Sequence, residues 1–258
     1  MQNKLAVITG ASSGIGKSYA YKFAEMGYDL LLIARREGLL KNICAEIKSK
    51  YNTNCEYLLA ELSNEENRNN LYERIKRSDV DVLINNAGFG MIDDFIDMKE
   101  SLNMIKVHNE ALVEFTHAAL VSMMKKQEGV IINVASIAGF LASPKNAMYC
   151  ATKAFVITFT ESLHIRLCDQ NIKFQALCPG FTLSDFHEKI GYDKSNPRFK
   201  TFMTSDDVVK ISLKDLEKGK VICIPGFKYK LAKIIIGFLP RSFFYKLVIF
   251  YSKRKKEN

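Results

Sequence analysis

The six cysteines, Cys44, Cys55, Cys150, Cys168, Cys178 and Cys223, show no CxxC pairing and no metal-ligand spacing. Most lie in apolar runs, which argues against a disulfide framework or a metal site and points to free thiols in a reducing compartment. Long apolar runs are missing too: no uninterrupted span reaches the roughly 20 residues that a transmembrane helix needs. The opening segment MQNKLAVITG enters a polar turn too soon for a signal peptide, so a cytoplasmic location is expected. No internal repeat, low-complexity linker or Pro/Gly-rich seam precedes residue 225. With 48% hydrophobic and 25% charged residues, disorder and fibrous architectures are excluded. A chain of 258 residues is long enough to build its core without disulfides or metal.

Negative charge is scarce only at one end. The net charge is +9, and residues 220–258 carry ten basic side chains against one acidic residue, Glu257. The remainder is therefore neutral. A nucleic-acid-binding protein more often spreads a basic face over its folded body, so nucleic acid is not an expected partner.

Seven short apolar runs read as strands: 5–9, 29–34, 56–60, 80–85, 129–135, 172–178 and 220–225. They are apolar throughout, as strands covered on both faces should be. Between them lie segments of helical length and period, such as Leu102 to Lys126 with apolar residues at spacings of three and four. Strand–helix alternation predicts an α/β fold: one doubly wound domain over residues 1–226, a seven-stranded parallel sheet with helices on both faces. Residues 227–258 read as a basic, apolar helical extension of that domain.

The first strand runs directly into TGASSGIG, with Gly10, Gly14 and Gly16 at the strand–helix junction. Gly10 permits the tight turn, Gly14 lets backbone approach a pyrophosphate, and Gly16 lets the helix pack closely. The helix N-terminus would then face the anion, so this segment is read as a dinucleotide site. The second strand ends at Ala34 and is followed by Arg35 and Arg36, where an NAD site usually has a carboxylate. A guanidinium can bind a 2′-phosphate that a carboxylate would repel, so NADP(H) is the expected cofactor, with Arg35 as its reader.

Ser136 follows the fifth strand at its C-terminal end, and Tyr149 and Lys153 are one helical turn apart. A tyrosine pKa of about 10 must fall by roughly three units for acid–base work near neutrality. A lysine ammonium about 5 Å away supplies on the order of 3 kcal/mol toward that shift.

The order and spacing of TGASSGIG (9–16), NNAG (85–88), NVASIAG (133–139), YCATK (149–153) and PGF (179–181) resemble the short-chain dehydrogenase/reductase family over nearly residues 3–226. That resemblance implies a Rossmann-type oxidoreductase that interconverts a carbonyl and an alcohol. By it, Tyr149 is the general acid/base, Lys153 lowers its pKa and holds the nicotinamide ribose, and Ser136 binds the substrate carbonyl. It extends the cofactor contacts to Ser12, Ser13 and Ile15, to Glu61 and Leu62 at the adenine, to Asn86, Ala87 and Gly88, and to Pro179, Gly180 and Thr182. Homodimers or homotetramers are implied as well.

The sequence departs from the family at three places. The place of its catalytic Asn falls on His108, with Asn109 next; a neutral imidazole can hold a water through one donor and one acceptor. Glu61 replaces an Asp, and Ser184 stands where Thr is common. The segment from Phe181 to Asp206 carries Phe181, Leu183, Phe186, Ile190, Tyr192, Phe199, Phe202 and Met203 and, apart from Arg198 and Lys200, no basic cluster, which points to a small or lipid-like apolar substrate. The extension should form two helices separated by Pro240. They could cover the active-site mouth, a second subunit or an anionic membrane surface, and packing on protein is the more frequent use of such patterns. The alternative function is a non-catalytic NADP(H)-binding sensor acting through this extension. Intact Ser136, Tyr149 and Lys153 argue against it.

Overall fold

The computed structural model describes residues 3–91, 95–183 and 202–254. Its main sheet is built from β1 (Leu5–Thr9), β2 (Asp29–Ala34), β3 (Cys55–Leu59), β4 (Val80–Asn85), β5 (Gly129–Val134), β6 (Ile172–Leu177) and an edge strand, β9 (Ile222–Cys223). The strand order is β3-β2-β1-β4-β5-β6-β9 and every pairing is parallel. The order reverses between β1 and β4, which opens a crevice at the C-terminal strand ends where ligands of such sheets bind. The expected seven-stranded parallel sheet is therefore present. Its seventh strand shrinks to two residues, ending just before Pro225, whose ring nitrogen cannot donate to a ladder. A second, two-stranded sheet was not anticipated: β7 (Thr182–Leu183) pairs with β8 (Met203–Thr204). The apolar and aromatic positions Phe186, Ile190, Tyr192 and Phe199, together with Ser184, Arg198 and Lys200, lie outside the described residues.

Helices α1 (Gly14–Glu25), α2 (Glu37–Tyr51) and α7 (Ser205–Glu217) cover one face through Tyr19, Phe23, Leu40, Ile43 and Val208. On the other face lie α3 (Glu65–Lys76) and α5 (Ala111–Lys126), packed through Leu71, Ile75, Phe115 and Met123. A third apolar cluster joins α6 (Ala147–Arg166) to β6 through Val156, Ile157 and Ala176. Phe115 is fully buried, so its truncation to alanine would cost about 3–5 kcal/mol.

The segment read as one regular helix from Leu102 is not uniform. After α4 (Met98–Ile105) the chain makes one π-helical turn, Lys106–Glu110, before α5 begins. The wider turn lets three consecutive side chains, Val107, His108 and Asn109, all be buried, which a regular α-helix on one packing face would not allow.

The extension forms α8 (Phe227–Phe238) and α9 (Arg241–Arg254), broken at Pro240 as expected. Packing on the chain's own body accounts for little of their apolar surface. Phe244 is buried and Tyr229 seats on the body, but Ile234, Ile235, Phe238, Phe243, Leu247 and Phe250 are exposed. Among the described residues no helix is long and apolar enough to cross a membrane, and no group of His, Cys, Asp and Glu is arranged to hold a metal.

Candidate active site

The glycine turn is held by contacts that admit no side chain. Gly10 and Gly14 have φ of 65° and 54°. A Cβ on Gly10 would lie 2.7 Å from Asn86 Nδ2, and one on Gly16 would run into the Gly10 carbonyl oxygen. Asn86 explains the crowding: its Nδ2 donates to the Thr9 and Gly10 carbonyls at 3.0 and 3.1 Å. The Asn86 and Ala87 amides donate to Thr9 Oγ1 at 2.9 and 3.0 Å. The end of β4 is thus tied to the end of β1 across the point where strand order reverses. Ser13 occupies the N-cap of α1, yet its side chain makes no capping bond. The first amides of α1 are therefore free of a side-chain partner, as an anion-binding helix end requires.

Ser13 is engaged elsewhere. Arg36 reaches back from the end of β2 and donates to Ser12 Oγ through Nε and Nη2 at 3.2 and 3.0 Å, and to Ser13 Oγ. Arg35 instead turns outward and pairs with Glu61 at 2.9 Å. That guanidinium and the Ser63 amide together hold the Glu61 carboxyl below its usual range, against a desolvation that alone would raise it. Both arginines, with Ser12, Ser13, Ala34, Glu61, Leu62, Ala87 and Gly88, line one recess of about 130 Å³. The doublet was visible in the sequence; the inward direction of its second member was not.

A larger cavity of about 370 Å³ continues from this turn. One wall is Gly10, Ser13, Gly14, Ile15 and Asn86; the facing wall carries Ser136, Tyr149 and Lys153, with Pro179, Gly180 and Thr182 closing the end. All of these expected site residues meet around one space. Ile137, Ala138, Leu141 and Phe181 make much of the remainder apolar.

Within the second wall, Ser136 hydrogen-bonds the Tyr149 hydroxyl, which opposes the effect of burial on the phenol. Burial is the larger effect, and the Tyr149 pKa is pushed up to about 12. Lys153 Nζ lies 5.7 Å from the Tyr149 ring centre and donates to the Val134 carbonyl at 3.0 Å. Its own burial lowers its pKa to about 8. Burial thus acts on both groups in the direction that disfavours their charged forms.

His108 lies beneath this pair rather than in the cavity. Its ring meets the Tyr149 ring edge-on at 5.9 Å. Nε2 accepts from the Phe89 amide at 3.0 Å, so the neutral ring carries its proton on Nδ1, which faces Thr152 Oγ1 at 3.0 Å. Thr152 Oγ1 in turn donates to the Tyr149 carbonyl at 3.0 Å. Burial, then the charge of Lys153, hold the His108 pKa well below its ordinary value. Both ring nitrogens are used within the protein, so the water expected on this imidazole has no free nitrogen to bind. Asn109 points the same way and donates to the Thr152 carbonyl at 3.1 Å. Sequence reasoning missed Thr152, although it sits inside the YCATK motif, and Tyr229 of α8, whose ring packs on Gly180. The Tyr229 hydroxyl accepts from the Phe181 amide at 3.0 Å.

A family profile for short chain dehydrogenases matches residues 4–195. The chain is 30% identical over 252 residues to 17-beta-hydroxysteroid dehydrogenase type 3 of Rattus norvegicus, covering 93% of this chain and 78% of that protein. It is 29% identical over 258 residues to very-long-chain 3-oxoacyl-CoA reductase of the same organism, covering 96% and 79%. Among solved structures, a short-chain dehydrogenase from Sphingobium yanoikuyae in complex with NADPH superposes with a TM-score of 0.82 at 29% identity, covering 87% and 88% of the two chains. The chain belongs to the short chain dehydrogenase family.

Proposed function

We propose that this member of the short chain dehydrogenase family is an NADPH-dependent reductase that converts an apolar ketone or aldehyde to its alcohol, or runs the same reaction in reverse. The observation that carries the reading is the meeting of Ser136, Tyr149 and Lys153 across one cavity from an uncapped helix end on a glycine turn. The residues fit the cofactor. The free amides of α1 suit a pyrophosphate, and Arg36, already donating to the Ser12 and Ser13 hydroxyls, suits a 2′-phosphate better than the outward-turned Arg35. A structural neighbour bound to NADPH supports the same choice.

When bound, NADPH supplies the hydride that reaches the carbonyl carbon. Ser136 donates a hydrogen bond to the carbonyl oxygen and holds it beside Tyr149. Tyr149 is a neutral phenol at physiological pH, the form needed to give a proton to that oxygen as negative charge develops on it. Lys153 keeps a positive charge beside the phenol below about pH 8, which stabilises the phenolate left after transfer. His108 and Thr152 touch neither the cavity nor the reacting atoms in this reading. They are positioning residues that fix the backbone of the Tyr149–Lys153 turn against the Phe89 amide.

The lining of Leu141, Ile137 and Phe181 favours a lipid-like ketone. The two relatives are named for a hydroxysteroid and a very-long-chain 3-oxoacyl thioester, both with large apolar parts. NADPH consumption across ketones of increasing apolar size tests the proposal, with kcat/KM expected to rise with size. Tight NADPH binding with no turnover of any ketone or aldehyde would instead favour the non-catalytic sensor.

A further inference from the structure

We propose that α8 and α9 form a docking surface for an anionic lipid bilayer, and that the cavity mouth sits beside the lipid when they dock. On α8 the residues Phe227, Leu231, Ile234, Ile235 and Phe238 recur at spacings of three and four, so they form one stripe. All are exposed, Phe227 to 78% and Phe238 to 86%. Tyr229, which seats on the body, lies on the opposite side of the helix, two positions from Phe227. On α9, Phe243, Leu247 and Phe250 repeat the pattern and are also exposed, while Phe244 is buried. Exposed apolar stripes of this kind are uncommon on a soluble face and mark an interaction site.

Charge decides the occupant. Lys228 and Lys230 border the α8 stripe and Lys246 borders that of α9, and no acidic residue occurs between 227 and 254. Two copies meeting through these faces would bring their lysines together with no carboxylate to offset them. An anionic bilayer supplies apolar depth for the stripes and negative charge for the flanking lysines. Neither helix is long enough to span, so the surface lies in the interface.

The position of α8 adds a consequence that rests on the reaction proposed above. The Tyr229 ring lies where a Cβ on Gly180 would fall, its hydroxyl takes the Phe181 amide, and Lys233 Nζ lies 5.7 Å above the Phe140 ring. Gly180 and Phe181 line the cavity, so its mouth is about one helix diameter, on the order of 10 Å, from the lipid-facing stripe. A ketone dissolved in the bilayer would reach the site without crossing bulk water.

Sedimentation of the full chain with vesicles tests the docking and reads no turnover, so its result is independent of the reaction. The protein should sediment with phosphatidylcholine vesicles containing phosphatidylserine at low salt, and poorly with phosphatidylcholine alone. High salt should release a large part of it. Replacing Lys228, Lys230 and Lys246 by Gln should weaken binding by roughly fivefold for each lysine. The double variant Ile234→Glu/Phe238→Glu should lose binding at every salt concentration. Retained NADPH affinity would show that this variant is folded. Two results would overturn the proposal: equal binding to both vesicle types, or no vesicle binding together with a dimer that the Glu variant converts to a monomer.

Discussion

Replacing Lys153 with Met should make the protein more stable at neutral pH while removing most of its activity. The lysine is buried, its Nζ donates to the Val134 carbonyl, and its pKa falls from 10.5 to about 8. That shift corresponds to about 3 kcal/mol by which the folded protein disfavours the ammonium relative to the unfolded chain. Below pH 8 both states hold the proton, so the full penalty applies. Between about pH 8 and 10.5 the folded lysine has lost its proton and the unfolded one has not, so the parent protein gains stability as pH rises. Methionine has similar length and no charge, but it leaves the Val134 carbonyl without this donor, at a cost of about 1–3 kcal/mol. The variant should therefore be about 0–2 kcal/mol more stable at pH 7 by urea unfolding, and its advantage should disappear or reverse by pH 10.5. A variant destabilised by more than about 2 kcal/mol at pH 7, with no pH dependence to the difference, would refute the reasoning. It would show that the buried ammonium is compensated, not strained.

Other outcomes follow from single contacts. Arg36→Ala should raise the Kd for NADPH roughly 10- to 100-fold with little change for NADH, as expected for loss of charge-assisted bonds to a 2′-phosphate. Arg35→Ala should do less, and competitive cofactor titration would show the opposite order if Arg35 is the reader. Gly180→Ala places a Cβ against the Tyr229 ring, so it should lower the Tm, and the added change Tyr229→Ser should recover much of the loss. Because His108 is held neutral, the pH profile of kcat/KM should show no step near pH 6.5. A step there that disappears in His108→Asn would assign the histidine a titrating role.

Much of the fold could be read from strand runs because a sheet covered on both faces leaves continuous apolar segments such as DLLLIA and VDVLIN. The edge strand β9 was overread because Ile224 and Pro225 prolong the apolar pattern where the ladder cannot continue. Tyr149, Lys153 and Ser136 were legible because their spacing is a property of one helix turn and one strand end. The orientation of Arg36 was not, since neighbouring residues in a loop can point either way. The role of His108 depended on a π-helical turn that no periodicity announces, and its partners Phe89 and Thr152 come from distant segments. The extension was legible in composition but not in what covers it, because an apolar helical pattern does not say which surface it will meet.

The central claim is that Tyr149 gives the proton in a carbonyl reduction beside bound NADPH. Single-turnover oxidation of NADPH by Tyr149→Phe, with the ketone that the parent enzyme reduces fastest, tests this most directly. The phenyl ring keeps the packing against His108, so the Kd for NADPH should stay within a few-fold of the parent. Hydride transfer should slow by about 10²–10⁴-fold through loss of the general acid. A rate within tenfold of the parent would contradict the account and place the proton on another group.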